Sequence, residues 1–269
     1  MARLIDTHCH LNLNLFQNDL PNVLERAWDN GIERILIPGI DLETSRRAVE
    51  LSEIYPKLYS AVGVHPSEAL SWDQSSKDQL IELAKHPKVV AIGEIGLDYY
   101  RDGAARDLQI EVFQSQLDLA SDLEKPVIIH NRQAIEDIWP IINEWQTGLN
   151  RKGIPTSSRP GVLHSYEGTI ELALKAVQLN FAIGIGGPVT FRNAPDRQLL
   201  AASIPLSGMV LETDAPFLTP HPHRGKRNEP AFILLIAEKI ADLNNKPLDQ
   251  IAEITSNNAD RLFEWGAKV

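Results

Sequence analysis

The 269-residue chain has a single cysteine, two methionines, 6% aromatic residues and a deficit of positive charge. Cys9 alone can close no disulfide within the chain and cannot found a thiolate zinc site, so a reducing compartment fits. Long apolar runs are missing too. Stretches such as Phe232 to Ala237 fall far short of the roughly 20 residues a membrane helix needs, and no membrane partner is expected. A strand-like run begins at Arg3, leaving no room for a signal peptide, so a cytoplasmic location is the expectation. Lys and Arg number 26 against 36 Asp and Glu, a net charge of −10. That balance argues against a general electrostatic embrace of nucleic acid and leaves a local site, with a few bases and bound cations, for any polyanionic substrate. No linker or low-complexity tract divides the chain, 43% of it is hydrophobic, and one domain over 1–269 is expected.

What is present is a repeat. β-branched and apolar runs at 3–7, 33–37, 58–64, 88–95, 126–129, 161–164, 181–186 and 209–213 read as strands, each followed by a segment with helical spacing. Leu20 to Trp28 puts Leu20, Val23, Leu24 and Ala27 on one face, with Pro21 tolerated in the first turn and Gly31 as a stop. Arg106 to Leu123 behaves likewise. The strand ends recur about every 29 residues, the length of one strand, one helix and two short loops. Eight such units predict an α/β chain folded as a (β/α)8 TIM barrel with its active site at the C-terminal face of the strands. Thr147 to Gly161, rich in Gly and Pro, is expected to be a loop or short excursion. A doubly wound sheet has the same alternation, but its first strand should lead into a glycine-rich phosphate turn. Here the first strand runs into Asp6-Thr7-His8-Cys9-His10.

Alternation along an extended strand puts His8 and His10 on one side and Cys9 on the other. Glu94, His130, His164 and Asp214 each follow an apolar run, at the ends of the fourth, fifth, sixth and eighth strands. In a barrel all six converge on one mouth, where four imidazoles and two carboxylates are best explained by two divalent cations. Nitrogen and oxygen donors without thiolate suit zinc or manganese, with magnesium an alternative in a wet site. Glu94 is the candidate bridge because a carboxylate has two oxygens to share. Asp214 is the candidate to orient the attacking water and carry its proton. Glu212 shares the parity of Asp214 and reads either as support for a ligating histidine or as a plain core hydrogen bond.

Substrate contacts are assigned to His65, Tyr99, Arg101, Arg132 and Arg224. His65 ends the third strand, and a buried structural histidine is the other reading. Aromatic rings and a guanidinium in Tyr99-Tyr100-Arg101 could stack on a base and grip a phosphate, or simply pack. Arg132 stands two residues past His130, and Arg224 belongs to a basic run, Pro216 to Asn228, that follows Asp214. His221 and His223, separated by proline, read as loop residues, and His86 reads as structural.

Assembled, these segments resemble the TatD family of metal-dependent deoxyribonucleases, a branch of the amidohydrolase superfamily. The resemblance spans nearly the whole chain and is carried by Asp6-Thr7-His8-Cys9-His10, Gly63-Val64-His65-Pro66, Gly93-Glu94-Ile95-Gly96-Leu97-Asp98-Tyr99, Pro126 to His130, His164-Ser165 and Leu211 to Pro216. It implies a TIM barrel with His8, His10 and Asp214 on one metal, His130 and His164 on a second, and Glu94 bridging. It also implies 3′-5′ exonuclease action on DNA, single-stranded or at 3′ ends, through a metal-activated water, with no obligate protein partner. The alternatives are an esterase, lactonase or amidase of the same superfamily acting on small molecules and, in a different class, a non-catalytic metal-binding protein. One departure is the Trp145 to Pro160 segment, which looks longer and more polar than the strand–helix period predicts.

Overall fold

Eight strands pair in parallel and in chain order: β1 (Leu4–Asp6), β2 (Ile32–Pro38), β3 (Leu58–Val62), β4 (Val89–Asp98), β5 (Val127–Arg132), β6 (Gly161–Leu163), β7 (Ala182–Ile185) and β8 (Met209–Leu211). The structure is a computed structural model that describes residues 3–101 and 103–265. Closure comes from the Thr7 N–H donating to Leu211 O at 3.1 Å and from a parallel bridge between Cys9 and Ala215. The ring is therefore a (β/α)8 barrel.

Helices α1 (Leu20–Asp29), α2 (Leu42–Ile54), α3 (Gln74–Ala84), α4 (Arg106–Asp122), α5 (Ile135–Lys152), α6 (Ile170–Gln178), α7 (Pro195–Ser203) and α8 (Ile233–Asn244) alternate with the strands, and α9 (Leu248–Phe263) is extra. None of them is long and apolar enough to cross a membrane. Asp41 and Asp73 cap α2 and α3 by accepting the Thr44 and Ser76 N–H groups at 2.7 Å each.

One apolar cluster joins Ile5, Leu36, Ala61, Ile128, Val162 and Val210 of the strands to Leu262, Phe263 and Trp265 at the C-terminal end of α9. The Ser256 hydroxyl donates to Arg3 O at 2.9 Å, so α9 lies across the end where the strands begin. The plug leaves the opposite, C-terminal mouth for chemistry.

The expected strands match the observed ones to within three residues at every end. Two local expectations need correction. Thr147 to Gly161 is not simply a loop: α5 continues to Lys152, Gly153 ends it with φ 66°, and Pro155–Ser158 form a single 3-10 turn. The buried face of Ile138, Ile142, Gln146 and Leu149 carries the helix through Gly148, and Gln146 donates across to Ser157 O at 3.1 Å. The glycines and prolines were outweighed by that amphipathic face. Secondly, His8 and His10 lie beyond β1, and the Cys9 bridge rather than a regular strand sets their alternation.

Candidate metal centre

The centre is assembled where β1 meets β8. The buried Asp6 carboxylate accepts the Thr213 hydroxyl at 2.6 Å, the Thr213 N–H at 2.9 Å and the His8 N–H at 3.2 Å, stitching the two strand ends together. Burial pushes its carboxyl up to about 7 despite those hydrogen bonds. Just beyond, Asp214 takes a left-handed backbone with φ 55°, a conformation that costs a residue with a Cβ about 1–2 kcal/mol. The Asp214 N–H donates to His8 O, and Asp214 O accepts the Phe217 N–H, both at 2.8 Å, which holds that shape.

Four donor atoms then face one another. His8 Nε2 and His10 Nε2 are 3.1 Å apart. Glu94 Oε2 lies 3.4 Å from the first and 3.6 Å from the second, and Asp214 Oδ1 lies 3.7 and 3.5 Å from them. Donors about 2.0–2.1 Å from one tetrahedral cation stand roughly 3.3 Å apart, so these spacings fit a divalent ion. The other oxygen of Glu94 faces a second set: Oε1 is 2.8 Å from His130 Nδ1 and 3.4 Å from His164 Nε2. The grouping His8, His10 and Glu94 and the grouping Glu94, His130 and His164 thus share one carboxylate.

The electrostatics fit cations as well. Burial would raise the Glu94 carboxyl, but His8 and His164, with hydrogen bonds from His130 and His8, hold it well below its ordinary range. Asp214 is lowered against its burial by His10, His164 and His8. Burial drives His8 down, and positive charge on the stacked His164 ring, 3.6 Å away between centroids, pushes the same way. His164 itself is pushed up to about 10, because Glu212 and Glu94 outweigh its burial. Glu212 Oε1 lies 3.3 Å from His164 Nδ1 and accepts the Ser165 N–H at 2.5 Å. It stands directly behind the histidine. Gly184 leaves it room, since a Cβ there would strike the Glu212 carboxylate.

A cleft of about 110 Å³ opens over these groups, lined by His10, His65, Glu94, Arg101, His130, His164 and Asp214, with Leu13, Ile40, Ser67 and Phe217 beside them. Of the expected substrate residues, His65 and Arg101 reach this lining, whereas Tyr99, Arg132 and Arg224 do not. The Tyr99 hydroxyl is bound to Asp137 at 2.7 Å under the Arg106 guanidinium. Arg132 pairs with Glu167 at 2.6 Å and covers Tyr100, and Arg224 covers Phe191. His86 pairs with Glu53 at 3.1 Å, and His223 stacks on Phe232.

Sequence reading gave no role to Asp6, Asp98 or Phe217. Asp98, 2% exposed, lies 3.2 Å from His130 Nε2. Burial would raise its carboxyl, but hydrogen bonds from His130, Arg101 and Tyr100 hold it down at about 2. The signal was present: Glu94, Gly96 and Asp98 share the parity of β4. Phe217 keeps 46% of its surface exposed at the cleft, edge-on to His10 at 5.9 Å.

The chain resembles known proteins over nearly its whole length. The family described as TatD related DNase matches residues 5–264. YabD of Bacillus subtilis (strain 168), named an uncharacterized metal-dependent hydrolase, is 44% identical, covering 97% of this chain and 98% of its own. A protein of Salmonella typhimurium named 3'-5' ssDNA/RNA exonuclease TatD is 34% identical, with 97% of this chain and 99% of its own covered. Among solved structures, the TatD homolog YJJV of Escherichia coli K12 superposes with a TM-score of 0.87 at 34% identity, covering 98% of each chain.

Proposed function

This chain belongs to the TatD-related DNase family of metal-dependent hydrolases, and from that premise we propose that it hydrolyses phosphodiester bonds at the 3′ ends of single-stranded DNA. The observation that carries the reading is Glu94, whose two oxygens face two separate donor sets, Oε2 toward His8 and His10 and Oε1 toward His130 and His164. The relative named as a 3'-5' ssDNA/RNA exonuclease supports the substrate class.

In this reading His8, His10 and Asp214 would hold one divalent cation and His130 and His164 another, with a Glu94 oxygen facing each donor set. Zinc or manganese suits the donors, with magnesium the alternative. Bound cations would supply Lewis acidity, lowering the pKa of water and offsetting charge on phosphoryl oxygens. The protein's own groups do the rest. Asp214, kept ionised, accepts the proton of the attacking water. His65 Nδ1 accepts the Ser67 N–H at 3.1 Å, so its ring carries a proton on Nε2 and can donate to a phosphoryl oxygen in the cleft. Arg101 adds a positive charge there. Leu13, Ile40 and Phe217 form the apolar part of the wall, suited to the face of a base.

The test is digestion of a 5′-labelled single-stranded oligonucleotide by the manganese- or zinc-loaded protein. A ladder shortened from the 3′ end is expected. Intact oligonucleotide alongside turnover of lactones or small carboxylic esters would overturn the nuclease reading.

A further inference from the structure

Both ring nitrogens of His130 are within hydrogen-bonding distance of a carboxylate, closer on each side than the 3.4 and 3.3 Å that separate His164 from Glu94 and Glu212. Its Nδ1 is 2.8 Å from Glu94 Oε1, and its Nε2 is 3.2 Å from Asp98 Oδ2. Asp98 is immobilised more tightly than a surface-turn aspartate would be. Its Oδ1 accepts the Tyr100 and Arg101 N–H groups at 3.0 Å each. Its own N–H donates to Gln109 Oε1 at 2.9 Å, and Gln109 Nε2 returns to Asp98 O at 3.0 Å and to Ala104 O at 2.9 Å. Gln109 is itself 3% exposed. What remains of the carboxylate is Oδ2, aimed at His130.

The strand register serves the same end. Gly96, at φ 139°, sits opposite His130, and a Cβ there would strike His130 O. Two residues on, with the same parity, comes Asp98. Close backbone approach at Gly96 lets the β4 carboxylate reach past the strand to the far side of the imidazole.

We propose that Asp98 is the positioning residue of His130: its Oδ2 accepts the hydrogen bond of the Nε2–H, fixing the ring and leaving Nδ1 as the nitrogen that faces a cation beside Glu94 Oε1. Histidines that ligate metals are commonly oriented this way, and loss of the carboxylate costs roughly 10–100-fold in metal affinity. His65, Asp98 and His130 also lie close enough to suggest a cation of their own. The proton argument counts against it. With His65 Nδ1 accepting the Ser67 N–H, the ring hydrogen sits on Nε2, so neither ring nitrogen has a lone pair free for an extra cation.

The assignment rests on the two-cation reading, and the two can fail separately. Zinc is titrated calorimetrically into the metal-free wild type and into Asp98→Asn, which keeps an oxygen for the Tyr100 and Arg101 N–H groups but removes the charge at His130. Two zinc ions are expected in the wild type, with one of the two steps weakened about 10–100-fold in the variant, the other unchanged and the metal-free melting temperature kept. Both steps unchanged, or both weakened equally with a lower melting temperature, would overturn the assignment and leave Asp98 a turn clamp. A third zinc in the wild type that Asp98→Asn loses would overturn it in favour of a separate cation. Should the variant not fold, nitrogen-15 spectra of the zinc-loaded wild type decide. His130 protonated on Nε2 supports the assignment, and His130 protonated on Nδ1 contradicts it while leaving two bound ions in place. No zinc uptake at all would overturn the cation reading and this one with it.

Discussion

His8 and His10 turn their Nε2 atoms toward each other at 3.1 Å, while the Nδ1 atoms of both rings are buried without a hydrogen-bond partner among the described residues. At most one proton can serve the Nε2 contact, so the arrangement is poorly satisfied by hydrogen alone and well satisfied by a cation. Chelation should therefore destabilise the protein. With free metal near 1,000 times its dissociation constant, binding contributes about 4 kcal/mol, which corresponds to roughly 10 °C in melting temperature for a chain of this size. Melts with and without EDTA, followed by readdition of manganese or zinc, check this; identical melting temperatures would contradict it.

Asp214→Asn keeps the side-chain size and an oxygen toward His8 and His10 but removes the base. The variant should fold, and its kcat on oligonucleotides should fall by about 10²–10⁴-fold. Circular dichroism and steady-state kinetics on the metal-loaded variant measure both halves of that expectation.

Gly184→Ala tests support given from behind. A methyl group there collides with the Glu212 carboxylate, which accepts the Ser165 N–H and stands 3.3 Å from His164 Nδ1. Overpacking should lower stability by about 1–3 kcal/mol. The shift of Glu212 should also weaken the metal step that depends on His164, which calorimetry reads separately from the melt.

Cation uptake should release protons. In the metal-free protein His164 is pushed up to about 10 and His130 is raised, both against the effect of burial and by nearby carboxylates. At pH 7 to 8 His164 is thus protonated and must lose that proton to ligate, so apparent metal affinity rises with pH across this range. The linkage to folding has the opposite sign. A raised histidine contributes stability fully present below its unfolded value near 6.5, and this is lost as pH climbs toward about 10. Metal-free melts should accordingly fall between pH 7 and 10 while calorimetry in buffers of different ionisation enthalpy shows proton release. Uptake without proton release would contradict the charge state assigned to His164.

Legibility in the sequence followed the physics of each element. The strand ends were readable because buried parallel strands are nearly continuous apolar runs, and a lone His or Glu closing such a run stands out, as at His130 and Glu94. Asp98 is hard to read from the sequence because β4 runs on beyond its apolar stretch, through Gly96, to a residue that reads as the start of a turn. Asp6 carries no local signal of its role: its partner Thr213 lies 207 residues away. The same distance effect hid the Glu167 that pairs with Arg132 and the Asp137 that binds Tyr99. Thr147 to Gly161 reads as a loop because Gly148, Gly153, Pro155 and Pro160 all look like breakers, although of Gly148 and Gly153 only the second takes a left-handed backbone and ends α5.

The central claim is that Glu94 joins two cations, and anomalous diffraction from manganese-soaked crystals tests it most directly. The account predicts two peaks roughly 3.5–4 Å apart, one beside Oε2 among His8, His10 and Asp214 and one beside Oε1 between His130 and His164. A single peak, or none near this carboxylate, would contradict it.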